Sequence, residues 1–270
     1  MTQYKAFKIE HCDKIAQIKI NRPEKANAMD AAFWDELLQI MQWIDNEPSV
    51  RVAVISGEGK HFSAGIDLTM FMQLANAFGK DPARNANIIK QKIFQLQSTF
   101  NAIDQCSKPV IAAIHGACVG GAVDLIAACD MRYCAKDARF SIKEIDIGMA
   151  ADVGTLQRLP HIISDGVMRE LAYTGREVSA DEALHIGLVN QVYASKEELC
   201  TEVLHLAQTI ASKSPVAVRG TKEMLRYARD HSVSDGLNYI ANWNAAMLQS
   251  NDLKIAIMAS MQKQKPEFED

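Results

Sequence analysis

The chain has 270 residues, 29 Lys and Arg against 33 Asp and Glu, and 48% hydrophobic residues, the usage of an ordinary globular protein long enough to bury one sizeable core. Its net charge is −4 and its basic residues are dispersed, so nothing is built to track a nucleic-acid backbone, and no apolar stretch approaches the ~20 residues of a membrane span. Six cysteines (Cys12, Cys106, Cys118, Cys129, Cys134, Cys200) are too few for a disulfide scaffold and are expected to be reduced.

The opening Met1-Thr2-Gln3-Tyr4-Lys5 has neither the apolar block of a signal peptide nor the Arg/Ser-rich character of a transit peptide, and the final Lys265-Pro266-Glu267-Phe268-Glu269-Asp270 lacks a peroxisomal Ser-Lys-Leu. A cytoplasmic address is expected. Residues 16–20 alternate apolar and polar as a half-buried strand does, and Asn21-Arg22-Pro23 stops them. Over 31–44, Phe33, Leu37, Leu38, Met41 and Ile44 recur at helical spacing, with Asp30 placed to cap the start. Residues 52–55 read as a buried strand running into the glycine-bearing Ser56-Gly57-Glu58-Gly59.

Residues 76–86 hold Gly79, Lys80, Asp81 and Pro82 and read as an exposed connection. Residues 109–114 repeat the strand-then-glycine pattern, passing through His115-Gly116 and Gly120-Gly121 into a helix over 122–129. Two strand, loop and helix units with one grammar indicate an α/β domain, and ligands favour such loop ends. From Lys196 onward the pattern is helical in four short segments, which must pack on the main domain or on another subunit.

Two loops and three acids could carry chemistry. The runs Lys60-His61-Phe62-Ser63-Ala64-Gly65-Ile66-Asp67-Leu68 and Gly120-Gly121-Ala122-Val123-Asp124 each place small residues just before a helix starts, where free N–H groups and the positive helix end favour developing negative charge. If the amides of Ala64 and Gly121 converge they form an oxyanion hole; otherwise the glycines only make tight turns. Asp124, Glu144 and Asp152 lie in apolar surroundings, where desolvated carboxylates raise one another's pKa and can divide acid and base roles. The plainer reading makes Asp124 an ordinary residue early in a helix, Glu144 a salt-bridge partner of Lys143 or Arg139, and Asp152 a helix N-cap.

Other motifs fail. Gly57-Glu58-Gly59-Lys60-His61-Phe62 has Phe where a dinucleotide fingerprint needs a small residue, and His61 stands where a nucleophile elbow around Ser63 needs Gly. His115 reads as a satisfied interior histidine, and Trp43 and Trp243 as packing residues. There is no Cys-x-x-Cys, His-Glu-x-x-His or EF-hand loop, so no metal site is expected.

Taken as a set, Asn21-Arg22-Pro23-Glu24-Lys25-Ala26-Asn27-Ala28-Met29, Phe62-Ser63-Ala64-Gly65-Ile66-Asp67-Leu68, and Lys108-Pro109-Val110-Ile111-Ala112-Ala113 with Gly120-Gly121 resemble the enoyl-CoA hydratase/isomerase (crotonase) superfamily. The stretch from Lys143-Glu144-Ile145 through Ala151-Asp152-Val153-Gly154-Thr155 to Leu159-Pro160, with Val123-Asp124-Leu125, Asp230-His231-Ser232-Val233 and Leu237-Asn238-Tyr239, is similar to the Δ3,5-Δ2,4-dienoyl-CoA isomerases within it. The resemblance implies a crotonase-like spiral of ββα units over residues 1–195, and a helical C-terminal region over 196–270 that makes a homotrimer or homohexamer. It implies an acyl-CoA thioester partner lying against Lys25, Ala26 and Ala28 and against Ser63, Ala64, Gly65, Ile66, Asp67 and Leu68, with Ala64 and Gly121 holding the thioester oxygen. It implies a reaction that moves two double bonds from a 3,5-dienoyl to a 2,4-dienoyl thioester in unsaturated fatty acid β-oxidation, with coenzyme A as part of the substrate and no separate cofactor.

In chemical terms that shift removes a proton at C2 and adds one at C6, passing through a dienolate whose oxygen the amides would stabilise. Glu144 is expected to take the C2 proton and Asp152 to deliver one at C6, with Asp124 positioning the pair or adjusting their proton affinities. An enoyl-CoA hydratase, with Asp124 and Glu144 orienting water, is the alternative; it is expected to carry Glu where Asp124 stands. A non-catalytic acyl-CoA-binding or assembly protein is the alternative of another class.

Overall fold

The computed structural model describes residues 4–270; residues 1–3, part of the stretch read for targeting signals, lie outside the described residues. A hairpin starts the chain: β1 (Phe7–Cys12), which the sequence reading passes over, pairs antiparallel with β2 (Ile15–Ile20). After them come β3 (Val52–Gly57), β4 (Val110–Ile114), β5 (Ala117–Val119), β6 (Met131–Ala135), β7 (Arg139–Ser141), β8 (Val178–Ser179) and β9 (Gln191–Tyr193). They form a six-stranded sheet, β1-β2-β3-β4-β6-β9, parallel after the opening hairpin, and a three-stranded sheet, β5-β7-β8.

Successive units give one strand to each sheet, β4 then β5 and β6 then β7. Single bridges prolong the smaller ladder, Ser63 beside Cys118 and Met29 beside Ile66. Strand, turn, strand, helix units are therefore stacked, and equivalent turns of neighbouring units lie side by side. The α/β spiral expected from the resemblance takes this form.

Side chains on parallel strands alternate between two covered faces. On one, Ala53, Ile55, Ala112 and Ile114 join the main core, together with α1 (Ala31–Asn46), whose N-cap Asp30 accepts from the Phe33 amide at 3.0 Å. Phe33, Trp34, Leu37, Ile40, Met41 and Ile44 of this helix are buried, each contributing about 1.5–3 kcal/mol by leaving water. α2 (Thr69–Ala75) and α3 (Pro82–Gln105) follow. The connection expected over 76–86 is shorter than that: Asp81 caps Ala83 at 2.9 Å and Pro82 occupies the first helical turn, so the Pro that reads as loop punctuation is a helix start.

α4 (Gly121–Ala128) is buried along its whole length. Next are α5 (Thr155–Arg158), α6 (Asp165–Thr174) and α7 (Ala180–His185). α8 (Lys196–Ala211) covers the second face of the larger sheet, setting Leu199, Val203, Ala207 and Ala211 against Ile15, Val52, Val54, Ile111 and Ala113. The division expected at residue 196 thus falls inside one packed unit, because the sheet needs α8 to hide its second face. The outlying helices are α9 (Pro215–Tyr227), α10 (Val233–Met247) and α11 (Asn251–Met261). α10 has no buried residue and α11 has only Ala259, while Leu237 and Met261 are 65% and 81% exposed. Trp243 packs across α9: a Cβ on Gly220 would fall 2.5 Å from its Nε1.

Candidate active site

The first loop is built around Asn27, fully buried, whose amide donates to the carbonyls of Glu58 (2.9 Å) and His61 (2.8 Å) and whose Oδ1 accepts from the Arg22 amide (2.9 Å). That lacing ties the turn after β2 to the turn after β3. Ser63 is buried, donates to Asn27 O at 2.8 Å and accepts from the Gly65 amide at 3.1 Å; its hydroxyl is committed to the turn and offers no nucleophile. His61 Nδ1 accepts from the Ala117 amide (3.1 Å) and buried His115 contacts Gly59 O through Nε2 (3.0 Å), both as parts of the scaffold.

The amide of Ala64 donates to Ala26 O at 2.9 Å. It is consumed, which corrects the expectation that Ala64 supplies an oxyanion donor. Its neighbour does not share that fate. Met29 donates to Gly65 O (2.8 Å) and Asp67 donates to Met29 O (3.0 Å), so the parallel bridge uses the Gly65 carbonyl and the Asp67 amide and leaves the Ile66 N–H between them without a protein acceptor. Gly65 makes this possible: its φ is +86°, and a Cβ there would lie 2.5 Å from Val119 O. A Cβ on Gly121 would be 3.8 Å from the Ile66 nitrogen. The amide of Gly121 opens α4, where the first turn has no intrahelical acceptor. The stacked turns therefore bring together Ile66 and Gly121, not Ala64 and Gly121.

Of the remaining positions expected to face coenzyme A, Lys25, Ala64 and Leu68 are exposed and Ala26, Ala28 and Ile66 half-buried. Asp67 turns inward to α2, accepting from the Thr69 amide (3.1 Å) and hydroxyl (2.7 Å), with Arg22 at 3.5 Å; these bonds hold its carboxyl below the usual carboxylate range.

The acids come next: Glu144 lies against the residue before Gly121, and Asp124 follows in the first turn of α4. Gly120, at φ +55°, leaves room for the Glu144 carboxyl: a Cβ there would sit 3.3 Å from Glu144 Oε1. Glu144 begins the 3-10 turn Glu144–Ile147 after β7. It has neither expected ion-pair partner, since Lys143 pairs with Asp146 at 2.7 Å and Arg139 donates to the carbonyls of Lys136 and Ala138. Asp124, 0% exposed, accepts the Thr155 amide on Oδ1 at 2.6 Å. Asp152 is not an N-cap: Gly154 caps α5, and the Asp152 main chain is held by Gln97, which donates to its carbonyl at 2.7 Å.

Among the described residues, four buried side-chain polar atoms lack a partner, and three of them are here: Asp124 Oδ2, Glu144 Oε2 and Thr155 Oγ1. Leaving such a group unpaired costs about 1–3 kcal/mol, so a cluster of them marks a site made for something other than stability. Burial, reinforced by the charges of Asp124 and Asp152, pushes Glu144 up to about 7. Burial also pushes Asp124 up to about 6, against the Thr155 hydrogen bonds and with the Asp152 charge. Asp152 is raised by burial, opposed by its own amide. The three acids share one electrostatic environment, in which Glu144 and Asp124 are brought toward neutrality and Asp152 is raised, as acid and base work requires.

A separate cavity of about 550 Å³ lies behind the C-terminal end of α4, walled by Cys129, Arg158, Lys222, Leu225 and Arg229; none of the three acids lines it. Among the described residues no group of His, Cys, Asp and Glu is placed to hold a metal ion, and no helix is long and apolar enough to cross a membrane.

The Ile66 amide, the Gly121 amide at the start of α4 and a set of desolvated carboxylates thus stand on neighbouring turns of the stacked units. Residues 10–270 match the enoyl-CoA hydratase/isomerase family, and the chain belongs to it. It is 48% identical to a Homo sapiens protein named Delta(3,5)-Delta(2,4)-dienoyl-CoA isomerase, mitochondrial, over 97% of this chain and 81% of that protein. It is 47% identical to the Arabidopsis thaliana Delta(3,5)-Delta(2,4)-dienoyl-CoA isomerase, peroxisomal, over 99% and 98%. The crystal structure of an enoyl-CoA hydratase from Bacillus anthracis superposes with a TM-score of 0.90 at 29% identity, covering 98% of this chain and 99% of that one. The two isomerases are named for mitochondria and peroxisomes, in contrast to the cytoplasmic address expected here.

Proposed function

We propose that the chain isomerises 3,5-dienoyl-CoA thioesters to their 2,4-dienoyl isomers in unsaturated fatty acid breakdown. The observation that carries this reading is the third acid: Asp152 lies close enough to raise both Glu144 and Asp124, and two remote carbons need two proton-transfer groups. Relatives named for the same reaction support it. In this mechanism the thioester oxygen accepts from the amides of Ile66 and Gly121. Glu144, ionised, removes the C2 proton; negative charge spreads over the dienolate and onto that oxygen; Asp152, protonated, delivers a proton to C6. Asp124 adjusts both by its charge. The reaction is redox-neutral and needs no cofactor beyond the coenzyme A that the substrate carries.

The likeness to a hydratase structure favours a second reading, in which Asp124 and Glu144 orient water for addition to a 2-enoyl thioester. Absorbance assays with purified enzyme separate the two. Isomerisation of 3,5-dienoyl-CoA, with hydration of 2-enoyl-CoA at least about 100-fold slower, is the result expected; the reverse preference overturns the isomerase reading, and binding of both esters without turnover returns the non-catalytic one. We further assign the exposed apolar side chains of α10 and α11 to contacts between copies in a homotrimer or homohexamer, with residues 215–261 as the contacting region. Cell fractionation tests the cytoplasmic address.

A further inference from the structure

Arg158 ends α5 with a side chain only 12% exposed. Its guanidinium lies against the turn that carries Asp152: a Cβ on Gly154, where φ is +135°, would fall 1.9 Å from Arg158 Nη1. Only glycine admits so close an approach. Nη1 lies 3.5 Å from Val153 O, and Nη2 donates to Asn101 Oδ1 of α3 at 2.5 Å. Nε faces Asp104 of α3 at 4.0 Å, and Asp104 is gripped at 2.8 and 3.0 Å by Arg229, just beyond α9. The clamped turn holds Asp152 and supplies the Thr155 amide to Asp124.

We propose that Arg158 is a positioning residue for the isomerisation: packed on Gly154 and Val153, it clamps the turn 152–155 and sets a fixed positive charge near Asp124, with Asp104 and Arg229 holding the clamp. The inference rests on the isomerase reading above and adds a residue that does not touch substrate. The groups whose charge acts on Arg158 are Asp104, Asp124, Arg229 and the Cys129 thiol, and Asp130, His161, Lys222 and Arg226 share its cavity wall; those coupled to Asp124 are Glu144, Asp152, Cys118 and Arg158. Among the groups around Asp124, Arg158 is the one that lowers its proton affinity by charge, opposing burial and the charge of Asp152. Without it, Asp124 holds its proton to higher pH and adjusts Glu144 less.

The test compares full-length wild type, Arg158→Met and Arg158→Lys. For Arg158→Met, kcat on 3,5-dienoyl-CoA is expected to fall about 10- to 100-fold with KM within about twofold. In the ligand-free protein, the Asp124 carboxyl, followed by ¹³C NMR and assigned with Asp124→Asn, is expected to titrate about 0.5 unit or more higher. Arg158→Lys keeps the charge without the fork, so the titration returns toward wild type while kcat stays depressed. Unchanged kcat in Arg158→Met, or an unmoved Asp124 titration, overturns the proposal. If Arg158→Met does not fold, wild-type kcat in Arg158→Lys overturns it and a depressed kcat with wild-type titration supports it. The titration needs no turnover, so a wild type without isomerase activity sinks the functional reading while the charge effect is still measured.

Discussion

The acid cluster and the C-terminal helices break the rule of burial in opposite directions. Around α4 the chain hides carboxyl oxygens and a hydroxyl without partners; on α10 and α11 it exposes Val233, Leu237, Ile257, Met258 and Met261. Between them lies a core that obeys the rule, with α1 and α8 hiding their apolar faces against opposite sides of one sheet. Under the proposed function each exception has its counterpart: a substrate whose charge moves for the first, and another copy that covers apolar surface for the second. Breaking the first exception should change chemistry while improving the fold; breaking the second should change assembly while leaving chemistry alone.

The largest effect is expected at the acids. Glu144→Gln removes the base and should lower isomerisation about 100- to 10,000-fold, with loss of C2 proton exchange in deuterated water as the diagnostic. Asp152→Asn should lose isomerisation to a similar extent while keeping C2 exchange. Retention of C2 exchange by Glu144→Gln would move the base elsewhere.

Next in size are the amides. Replacing the peptide N–H of Ile66 by an ester oxygen is expected to lower kcat about 100- to 1000-fold, the loss seen when one oxyanion donor is removed. The same replacement at Ala64 cuts only its bond to Ala26 O, so it should lower the melting temperature with kcat nearly intact. Collapse of kcat in the Ala64 ester, with kcat intact in the Ile66 ester, would reverse the donor assignment.

That correction shows where sequence legibility ends. The pattern of residues 16–20, 31–44, 52–55 and 109–114 foretold β2, α1, β3 and β4, because hydrophobic period and caps are local. The two glycine loops and the three acids were visible too, since unusual residue types in apolar runs are local facts. Which amide of the loop stays free was not, because it depends on a bridge between Met29 and Ile66, residues 37 apart in the chain. β1, the smaller sheet and the length of α3 escaped for the same reason: a two- or three-residue strand such as β8 or β7 exists only through its pairing, and the Pro82 turn declares itself a helix only when the following residues pack. Glu144 and Arg158 likewise show their surroundings only in three dimensions, one against Gly120 and the other against Gly154.

A third effect, of moderate size, follows from the raised proton affinity of Glu144. Its folded-state value of about 7 lies above the ordinary 4.5, so the fold is favoured when the group is protonated. That contribution is fully present below about pH 4.5 and is lost as pH rises through about 7. Glu144→Gln, which cannot ionise, should therefore stabilise the protein at pH 8 by about 1–3 kcal/mol and make little difference at pH 4. Thermal melts at the two pH values check this; equal effects at both would mean that Glu144 is freely hydrated in the folded protein.

The smallest effect on the single chain is expected at the exposed helices, and there the readout has to be mass. Leu237 and Met261 are 65% and 81% exposed, so Leu237→Glu with Met261→Glu removes little burial within one copy and should shift monomer stability by no more than about 0.5 kcal/mol per site. If these side chains instead meet another copy, each new carboxylate must either be desolvated unpaired or keep the subunits apart. Sedimentation should then show wild type as a trimer or hexamer and the double variant as a smaller species, with isomerase activity per active site preserved if the acids and amides of one chain make a complete site. A wild type that sediments as a monomer would leave the apolar face without a second copy. A double variant that dissociates and also loses activity would show that the two exceptions are coupled.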